Sequence, residues 1–211
     1  PGDEVILPTW TMSACASSIL HWNCIPIFAD IDKKTFCIDT ESIKKNISKK
    51  TKAIMAVDIF GLSSNLDKIK KIAKKNNLLV IEDSADTLGA TVSGTPSGGY
   101  SDVSITSFYG SHIISCAGNG GMLLTNNKKI HTKAKVLRSW GRMSTLIKDS
   151  EDINKRLGIK LKGFDYDRKF VFSEAGYNFE PSEIGASFGL VQLKKFKSFS
   201  SLRNQNFNYH L

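Results

Sequence analysis

The feature that most constrains this fold is the alternation of short apolar runs, rich in β-branched residues, with longer segments of helical periodicity. Residues 65–76 place their apolar side chains on one helical face and their lysines on the other. The next run, residues 78–82, is apolar up to its final glutamate, as in a strand buried on both faces of a parallel sheet. Regular alternation of this kind predicts an α/β fold with a mostly parallel sheet covered by helices.

The same patterns give approximate element positions. Strands are expected at residues 5–7, 25–29, 53–57, 78–82, 104–109 and 121–125. Helices are expected at residues 11–22, 40–47, 65–76 and 128–140, and from Pro181 onward. Thr40 is expected to be the N-cap of the second helix. Residues 142–169 are charged and weakly patterned, which predicts a long loop or excursion.

Charge and hydropathy disfavour two classes of partner. Lysine and arginine total 29 against 20 acidic residues, a formal net charge of +9 that could attract a nucleic acid. The lysines, however, are scattered pairs on helix faces expected to be solvated, without the interleaved aromatic residues of a single-strand-binding surface. No apolar run approaches the ~20 residues of a membrane-spanning helix. We therefore expect no nucleic acid and no membrane as partners.

The cysteines and histidines indicate neither a disulfide framework nor a metal site. Cys15, Cys24, Cys37 and Cys116 lie far apart and form no C-x-x-C pair, which favours reduced thiols in a cytoplasm. The four histidines show no metal-ligand spacing, so we expect no metal. The chain begins at Pro1, directly before a strand-like run, and ends in a polar stretch. We interpret it as an internal piece of a longer protein.

Candidate chemistry lies near the end of the strand at 78–82, since ligands of open α/β sheets bind beyond the carboxyl ends of strands. Glu82 and Asp83 lie there, although an aspartate at that place can equally be a helix cap. Between residues 76 and 127 there is no lysine or arginine, and His112 alone can carry positive charge. A lone histidine is more often structural than catalytic. Flanking serines and a glycine-rich turn make His112 a better candidate, because they leave room for a ligand.

Six ordered blocks of the sequence resemble the DegT/DnrJ/StrS-type sugar aminotransferases. They are PGDEVILPTWT, IFADID, TKAIMAVDIFG, VIEDSADTLGA, SFYGSH followed by GNGG, and GYNFEPSEIGASFGLVQL, and they run from Pro1 to about Leu193. The resemblance implies the type I fold of pyridoxal-phosphate enzymes, with three layers around a mostly parallel, seven-stranded-type sheet. Residues 1–195 would form the large cofactor-binding domain, incomplete at its N-terminus. Residues 196–211 would begin the connection to a missing C-terminal domain.

The resemblance also implies roles for matching positions. Asp83 would pair with the pyridine nitrogen of pyridoxal 5'-phosphate and keep it protonated, so that the ring accepts electrons. Asp86 stands where ordinary members carry a glutamine near the ring's 3-hydroxyl. Ser107 would bind the phosphate, and Asn178 would reach the phosphate in the neighbouring subunit of a homodimer. These are the expected cofactor-binding residues.

Two positions depart from the aminotransferase pattern. Met12 stands where most members stack an aromatic ring on the cofactor, so either Trp10 substitutes or stacking is weaker. His112 stands where the aminotransferases keep the lysine that binds the cofactor covalently, and imidazole has no primary amine to do so. The sugar 3-dehydratase branch is similar in having histidine here, and the ED-x-x-D arrangement ending at Asp86 also resembles it. That branch holds pyridoxamine 5'-phosphate non-covalently and uses the histidine as a base.

The leading hypothesis is C3 dehydration of a nucleotide-linked 4-keto-6-deoxysugar, with catalytic His112, in O-antigen-like polysaccharide biosynthesis. Some such dehydratases carry an iron–sulfur cluster on cysteines after the W-G-R block, but no cysteine follows that block here. One alternative is an ordinary nucleotide-sugar aminotransferase that uses another lysine. Another is a non-catalytic relative that kept the fold. Because segments of the site are expected to be missing, these 211 residues alone should show little or no activity.

Overall fold

The computed structural model describes residues 1–211. It divides into two compact units. Unit 1 comprises Pro1–Leu124 and Glu183–Leu211, and unit 2 comprises Thr125–Ser182. The sequence patterns did not predict unit 2 as a separate body.

The main sheet of unit 1 has six strands. In chain order, the strands of unit 1 are β1 (Glu4–Pro8), β2 (Ile25–Ala29), β3 (Thr51–Val57), β4 (Leu79–Asp83), β5 (Thr91–Val92), β6 (Thr95–Pro96), β7 (Val103–Ser107) and β8 (Gly121–Leu124). The spatial order is β2-β1-β3-β4-β7-β8, with β5 and β6 forming a separate hairpin. All neighbours in the main sheet are parallel except β8, which is antiparallel to β7. The mostly parallel sheet is thus confirmed, with six strands rather than the seven of the resemblance.

Helices cover both faces of this sheet, which gives the expected three layers. The helices of unit 1 are α1 (Ser13–His21), α2 (Thr40–Asn46), α3 (Leu66–Lys75) and, after unit 2, α6 (Glu183–His210). Successive residues of a strand point to opposite faces. Accordingly, Ile6 of β1 packs in the core with α2 and α3, whereas Leu7 packs in a second core with Cys15 and Ile19 of α1.

Two local expectations are wrong. Strand β4 is not buried on both faces, because Val80 is fully buried against α3 while Leu79, on the other face, is 50% exposed. The N-cap of α2 is Asp39, not Thr40. The carboxylate of Asp39 accepts hydrogen bonds from the backbone N–H groups of Glu41 and Ser42, so it satisfies two free donors of the first turn.

Unit 2 begins with the helix expected at residues 128–140 and contains regular structure within residues 142–169, where a long loop or excursion was expected. Its elements are α4 (Lys128–Arg138), a 3₁₀ turn (Met143–Leu146), α5 (Ile153–Arg156), the antiparallel strands β9 (Leu157–Leu161) and β10 (Phe164–Asp167), and a second 3₁₀ turn (Arg168–Phe170). Most residues of the β9–β10 hairpin are exposed. Leu157, Ile159 and Leu161 alternate with glycine or lysine in β9, and Phe164 and Tyr166 alternate with aspartates in β10. The period-two pattern of a strand is therefore present in the sequence, and the expectation of a long loop overlooked it.

Helix α6 begins two residues after Pro181 and continues without a break to His210. The boundary expected between residues 195 and 196 therefore falls inside one helix. None of the helices, α6 included, combines the length and the apolar composition needed to cross a membrane.

Candidate active site

The candidate site lies at the carboxyl edge of the sheet in unit 1. Strands β4 and β7 are parallel neighbours, with Asp83 opposite Ile105, so Asp83 and Ser107 end their strands at the same edge. This is the edge at which open α/β sheets bind ligands. The loop from β7 to β8 carries His112 back to this edge, because Ser107 pairs with Gly121 at the start of β8.

Asp83 is half-buried and partly satisfied by its own chain. Its Oδ1 accepts a hydrogen bond from the backbone N–H of Ala85 at 3.1 Å, and its Oδ2 accepts one from the Cys15 thiol at 3.4 Å. Burial raises the pKa of the Cys15 thiol to about 11, so the thiol remains a donor at neutral pH. A carboxylate has about four lone-pair positions, and these two contacts leave the others available to a ligand.

Cys15 is a site residue that sequence reasoning missed. Its signal was weak, since it lies in a run of small residues at the start of α1 and offers no familiar motif. Only the packing of α1 on the sheet brings the thiol to Asp83.

His112 is held beside Asp86. The two side chains approach to 3.7 Å between Nε2 of the imidazole and Oδ1 of the carboxylate, with exposed fractions of 23% and 44%. This separation is longer than a hydrogen bond, so the pair interacts by charge when the imidazole is protonated. The imidazole also packs edge-to-face against Tyr109, with ring centroids 5.9 Å apart. Nδ1 is buried without a hydrogen-bond partner.

Helix α6 supports the loop that carries His112. The guanidinium of Arg203 donates a hydrogen bond to the carbonyl oxygen of Ile113 at 3.0 Å. Farther along the loop, Cys116 packs so closely on Gly189 of α6 that a Cβ at Gly189 would lie 2.4 Å from the Cys116 Sγ. A helix that begins near Pro181 was expected, but its contact with this loop was not.

Glu82 and Asp83, the two adjacent candidates, point to opposite faces of β4. Glu82 is fully buried and accepts hydrogen bonds from the Ser97 hydroxyl at 2.7 Å and from the backbone N–H of Gly98 at 2.8 Å. Its oxygens are occupied by the protein itself. Glu82 is therefore a structural carboxylate, and Asp83 is the one left at the ligand edge.

A second buried carboxylate, Asp58, lies at the end of β3. It accepts hydrogen bonds from the backbone N–H of Ser64 at 2.8 Å and from the Thr87 hydroxyl at 3.0 Å. Burial raises its pKa to about 6, and the negative charge of Glu82 adds to the effect. Because Thr87 follows Asp86 directly and the Asp58 N–H donates to the Asp83 carbonyl, this network holds the segment that carries both site aspartates.

The remaining expected residues are placed as follows. The Ser107 hydroxyl oxygen accepts a hydrogen bond from the Tyr109 N–H at 3.2 Å, which leaves its own hydrogen free to donate. Trp10 is 51% exposed and packs on Phe36 with ring centroids 5.6 Å apart. Asn178 lies in unit 2, where its backbone forms an isolated antiparallel bridge with Ser139. Unit 1 thus brings together Asp83, Asp86, Ser107 and His112, and Asn178 belongs to the other unit.

Comparison with known proteins identifies the family. The model of the DegT/DnrJ/EryC1/StrS aminotransferase family matches residues 1–210. The chain belongs to this family. The earlier resemblance is therefore confirmed over nearly the whole chain.

Within the DegT/DnrJ/EryC1/StrS family, relatives with different printed activities are similar to this chain. GDP-perosamine synthase from Caulobacter vibrioides is 34% identical over 205 residues, 97% of this chain and 49% of that protein. GDP-4-keto-6-deoxy-D-mannose 3-dehydratase from Escherichia coli O55:H7 is 32% identical over 211 residues, 100% of this chain and 53% of that protein. The solved E. coli GDP-4-keto-6-deoxy-D-mannose-3-dehydratase with bound hydrated PLP superposes with a TM-score of 0.86 at 32% identity, covering 99% of this chain and 52% of that one. The chain spans about half the length of these relatives.

Proposed function

We propose that this chain is part of an enzyme that removes the C3 hydroxyl of a nucleotide-linked 4-keto-6-deoxysugar, for polysaccharide biosynthesis. In this proposal pyridoxamine 5'-phosphate is held without a covalent bond to the protein, and His112 is the base. One observation carries the proposal: an imidazole stands beside Asp86 at the ligand edge, in a stretch from residue 76 to 127 that has no lysine. Covalent attachment of the aldehyde form of the cofactor needs a lysine amine.

The residues at the edge fit this cofactor. Asp83 retains free lone pairs for a pyridine N–H, Ser107 retains its hydroxyl hydrogen for a phosphate oxygen, and Asp86 lies beside His112. When bound, pyridoxamine 5'-phosphate supplies an electron-accepting ring and a primary amine for condensation with a sugar ketone.

The protein's own chemical task is to move a proton at His112. Because Nδ1 is buried and Nε2 approaches Asp86, we take Nε2 as the nitrogen of His112 that accepts the proton. A neutral imidazole with its hydrogen on Nδ1 has a free lone pair on Nε2 and accepts a proton there. The resulting imidazolium lies 3.7 Å from the Asp86 carboxylate, which stabilises its charge.

The decisive experiment supplies the full-length protein with pyridoxamine 5'-phosphate and a GDP- or dTDP-linked 4-keto-6-deoxysugar. Formation of the 3-deoxy product is followed by mass spectrometry. We expect His112→Asn to lower the rate by about 100-fold or more, the usual contribution of a positioned base. The matched control is His131→Asn, the same change at an exposed residue of α4, which should leave the rate unchanged. Full activity of His112→Asn would contradict the proposed role.

The alternative function is transamination, which the similarity to GDP-perosamine synthase favours. An aminotransferase of this kind requires a lysine that binds pyridoxal 5'-phosphate covalently. We expect that borohydride treatment of the protein with pyridoxal 5'-phosphate traps no cofactor on the chain. A cofactor-modified lysine peptide would instead support transamination, and failure to take up either form of the cofactor would support a non-catalytic relative.

We further propose a cytoplasmic homodimer in which Asn178 serves the partner's site. All four cysteines are free in the structure, which suits a reducing compartment. If Asn178 acts across the interface, a mixture of His112→Asn and Asn178→Ala chains forms heterodimers with one intact site. Recovery of activity on mixing supports this arrangement, and no recovery despite mixed dimers contradicts it.

A further inference from the structure

Unit 2 contains a polar cleft of about 380 Å³ whose charges are not balanced. Its charged lining residues are Lys135, Arg138, Arg142, Lys169, Glu151 and Glu180. Two of the cations are neutralised locally, since Arg138 pairs with Glu180 at 3.3 Å and Lys169 pairs with Glu151 at 2.8 Å. Arg142 and the half-buried Lys135 form no such pair, so the cleft carries an excess of two positive charges.

Arg142 is held by aromatic rings rather than by an acceptor. The Cζ atom of its guanidinium lies 4.5 Å from the centroid of the Trp140 ring and 5.7 Å from that of Phe172. Its Nε is buried without a hydrogen-bond partner. A guanidinium fixed by ring contacts, with its donors unused, is pre-organised to bind two oxygens of one anion.

The backbone around Arg142 is fixed by a close approach of two chain segments. A Cβ at Gly176 would lie 2.2 Å from the Gly141 nitrogen, so only glycine permits the contact. Beside it, the Trp140 N–H donates to the Tyr177 carbonyl at 2.8 Å. Because this packing sets the position of Arg142 without a ligand, little conformational entropy is lost when an anion binds.

The uncharged lining of the cleft also suits an oxyanion. Hydroxyl groups line it at Ser139, Ser144, Thr145 and Ser150. Hydroxyl groups donate hydrogen bonds to phosphate oxygens, and Lys135 adds a point charge beside the planar donor of Arg142. The volume is within the usual range of small-molecule sites.

We propose that this cleft binds a phosphate-bearing anion, with Arg142 as the bidentate donor and Lys135 as the second positive charge. Resting on the proposed function for the ligand's identity, we assign the anion as the diphosphate group of the nucleotide sugar. Arg142 and Lys135 are then substrate-binding residues that contact the diphosphate.

Calorimetric titration of the full-length protein tests this site, with pyrophosphate, GDP and inorganic phosphate as separate probes. Arg142→Met keeps the apolar packing between the rings but removes the donors, and should raise the Kd for pyrophosphate and GDP about tenfold. Arg142→Lys keeps the positive charge but loses the planar, bidentate donor geometry of the guanidinium, and should give a smaller increase in Kd. Lys135→Met should also weaken both probes. The matched control is Lys74→Met on the exposed face of α3, which should leave each Kd unchanged.

An unchanged Kd in a folded Arg142→Met protein overturns the proposal, as does an equal loss in Lys74→Met, which would indicate diffuse charge attraction. If Arg142→Met fails to fold, Lys135→Met decides by the same criterion. Dependence on Arg142 with inorganic phosphate but not with GDP overturns the assignment to a nucleotide diphosphate. A protein that binds GDP through Arg142 but never forms a 3-deoxy product refutes only the dehydratase function, so the two failures are distinguishable.

Discussion

Acidic side chains in the interior beneath β4 differ from those at its carboxyl end in how fully the protein itself hydrogen-bonds their oxygens. In the interior, Glu82 and Asp58 are at most 2% exposed, and the protein's own hydroxyl and N–H groups occupy their oxygens. At the edge, Asp83 is half-buried with only part of its acceptor capacity used, and Asp86 faces His112 beyond hydrogen-bonding distance. Satisfaction of acceptors, rather than position in the sequence, separates the structural carboxylates from those that we propose as ligand-binding.

This difference has a physical basis in the cost of burial. A buried carboxylate is tolerated only when donors replace the water it has lost, so an interior acid with its acceptors filled has none to offer a ligand. An acid that binds a ligand must keep lone pairs free, and the edge of the sheet allows this because solvent satisfies them before binding. Each of the following changes tests one side of the comparison.

The largest expected effect is at the edge. Asp83→Asn removes the negative charge that would stabilise a protonated pyridine nitrogen, so we expect the rate of 3-deoxy product formation to fall about a thousandfold. The free energy of unfolding should fall by only about 1 kcal/mol, because the amide oxygen still accepts from one of the two donors, Cys15 and Ala85, that the carboxylate serves. Asp67→Asn on α3 is the matched control, with the rate unchanged and the unfolding free energy lowered by less than about 1 kcal/mol through loss of its ion pair with Lys71. A large loss of stability in Asp83→Asn would assign this residue to the structural class.

The next effect is a pH dependence in the interior. The pKa of Asp58 is raised to about 6 in the folded chain from 3.8, so its stabilising contribution is present below pH 3.8 and is lost as pH rises through about 6. Asp58→Asn removes this dependence while keeping an acceptor for Ser64. The variant should therefore gain about 3 kcal/mol of stability relative to wild type between pH 4 and pH 7. Denaturant unfolding across this pH range measures the difference in unfolding free energy between variant and wild type. A difference that stays constant with pH would contradict the burial argument.

A smaller loss of stability is expected where half-buried hydrogen-bond donors are left without an acceptor. Glu82→Leu leaves the N–H of Gly98 unpaired and leaves the Ser97 hydroxyl with only its 3.4 Å contact to Thr87, at a cost of about 2 kcal/mol in unfolding free energy. Glu41→Gln, in an exposed ion pair with Lys44, should cost less than about 0.5 kcal/mol. Activity per folded molecule should be retained in Glu82→Leu. Loss of activity without loss of stability would place Glu82 with the ligand-binding carboxylates.

The same comparison shows which parts of the fold and of the site are visible in sequence. Apolar runs and periodicity located the six strands of the main sheet, including the exposed β8, and the helices of unit 1, but they located neither the β5–β6 nor the β9–β10 hairpin. In β9 and β10 the apolar residues form no continuous run, because glycine, lysine or aspartate separates them. The strand pattern alone left Glu82 and Asp83 side by side as candidates, and the family resemblance singled out Asp83. The register of β4 between its neighbours determines which of the two points inward. The partners of Asp58 and the thiol donor Cys15 come from segments distant in the chain, so no local pattern encodes them.

The smallest expected effect concerns how α6 supports the edge. Alanine at Gly189 improves helix propensity, but its Cβ would meet the Cys116 Sγ at 2.4 Å. Because the thiol has to move within a packed loop, we expect Gly189→Ala to lower the unfolding free energy by about 1 kcal/mol and to lower activity through displacement of the loop that carries His112. The double variant Gly189→Ala/Cys116→Ala removes the collision and should recover the stability and the activity of Cys116→Ala alone, with a gain from helix propensity. Thermal unfolding and product formation measured on all three variants give the coupling between the two positions. If the double variant is no better than Gly189→Ala, the contact with Cys116 is not what holds the loop, and the hydrogen bond from Arg203 to Ile113 becomes the support to test.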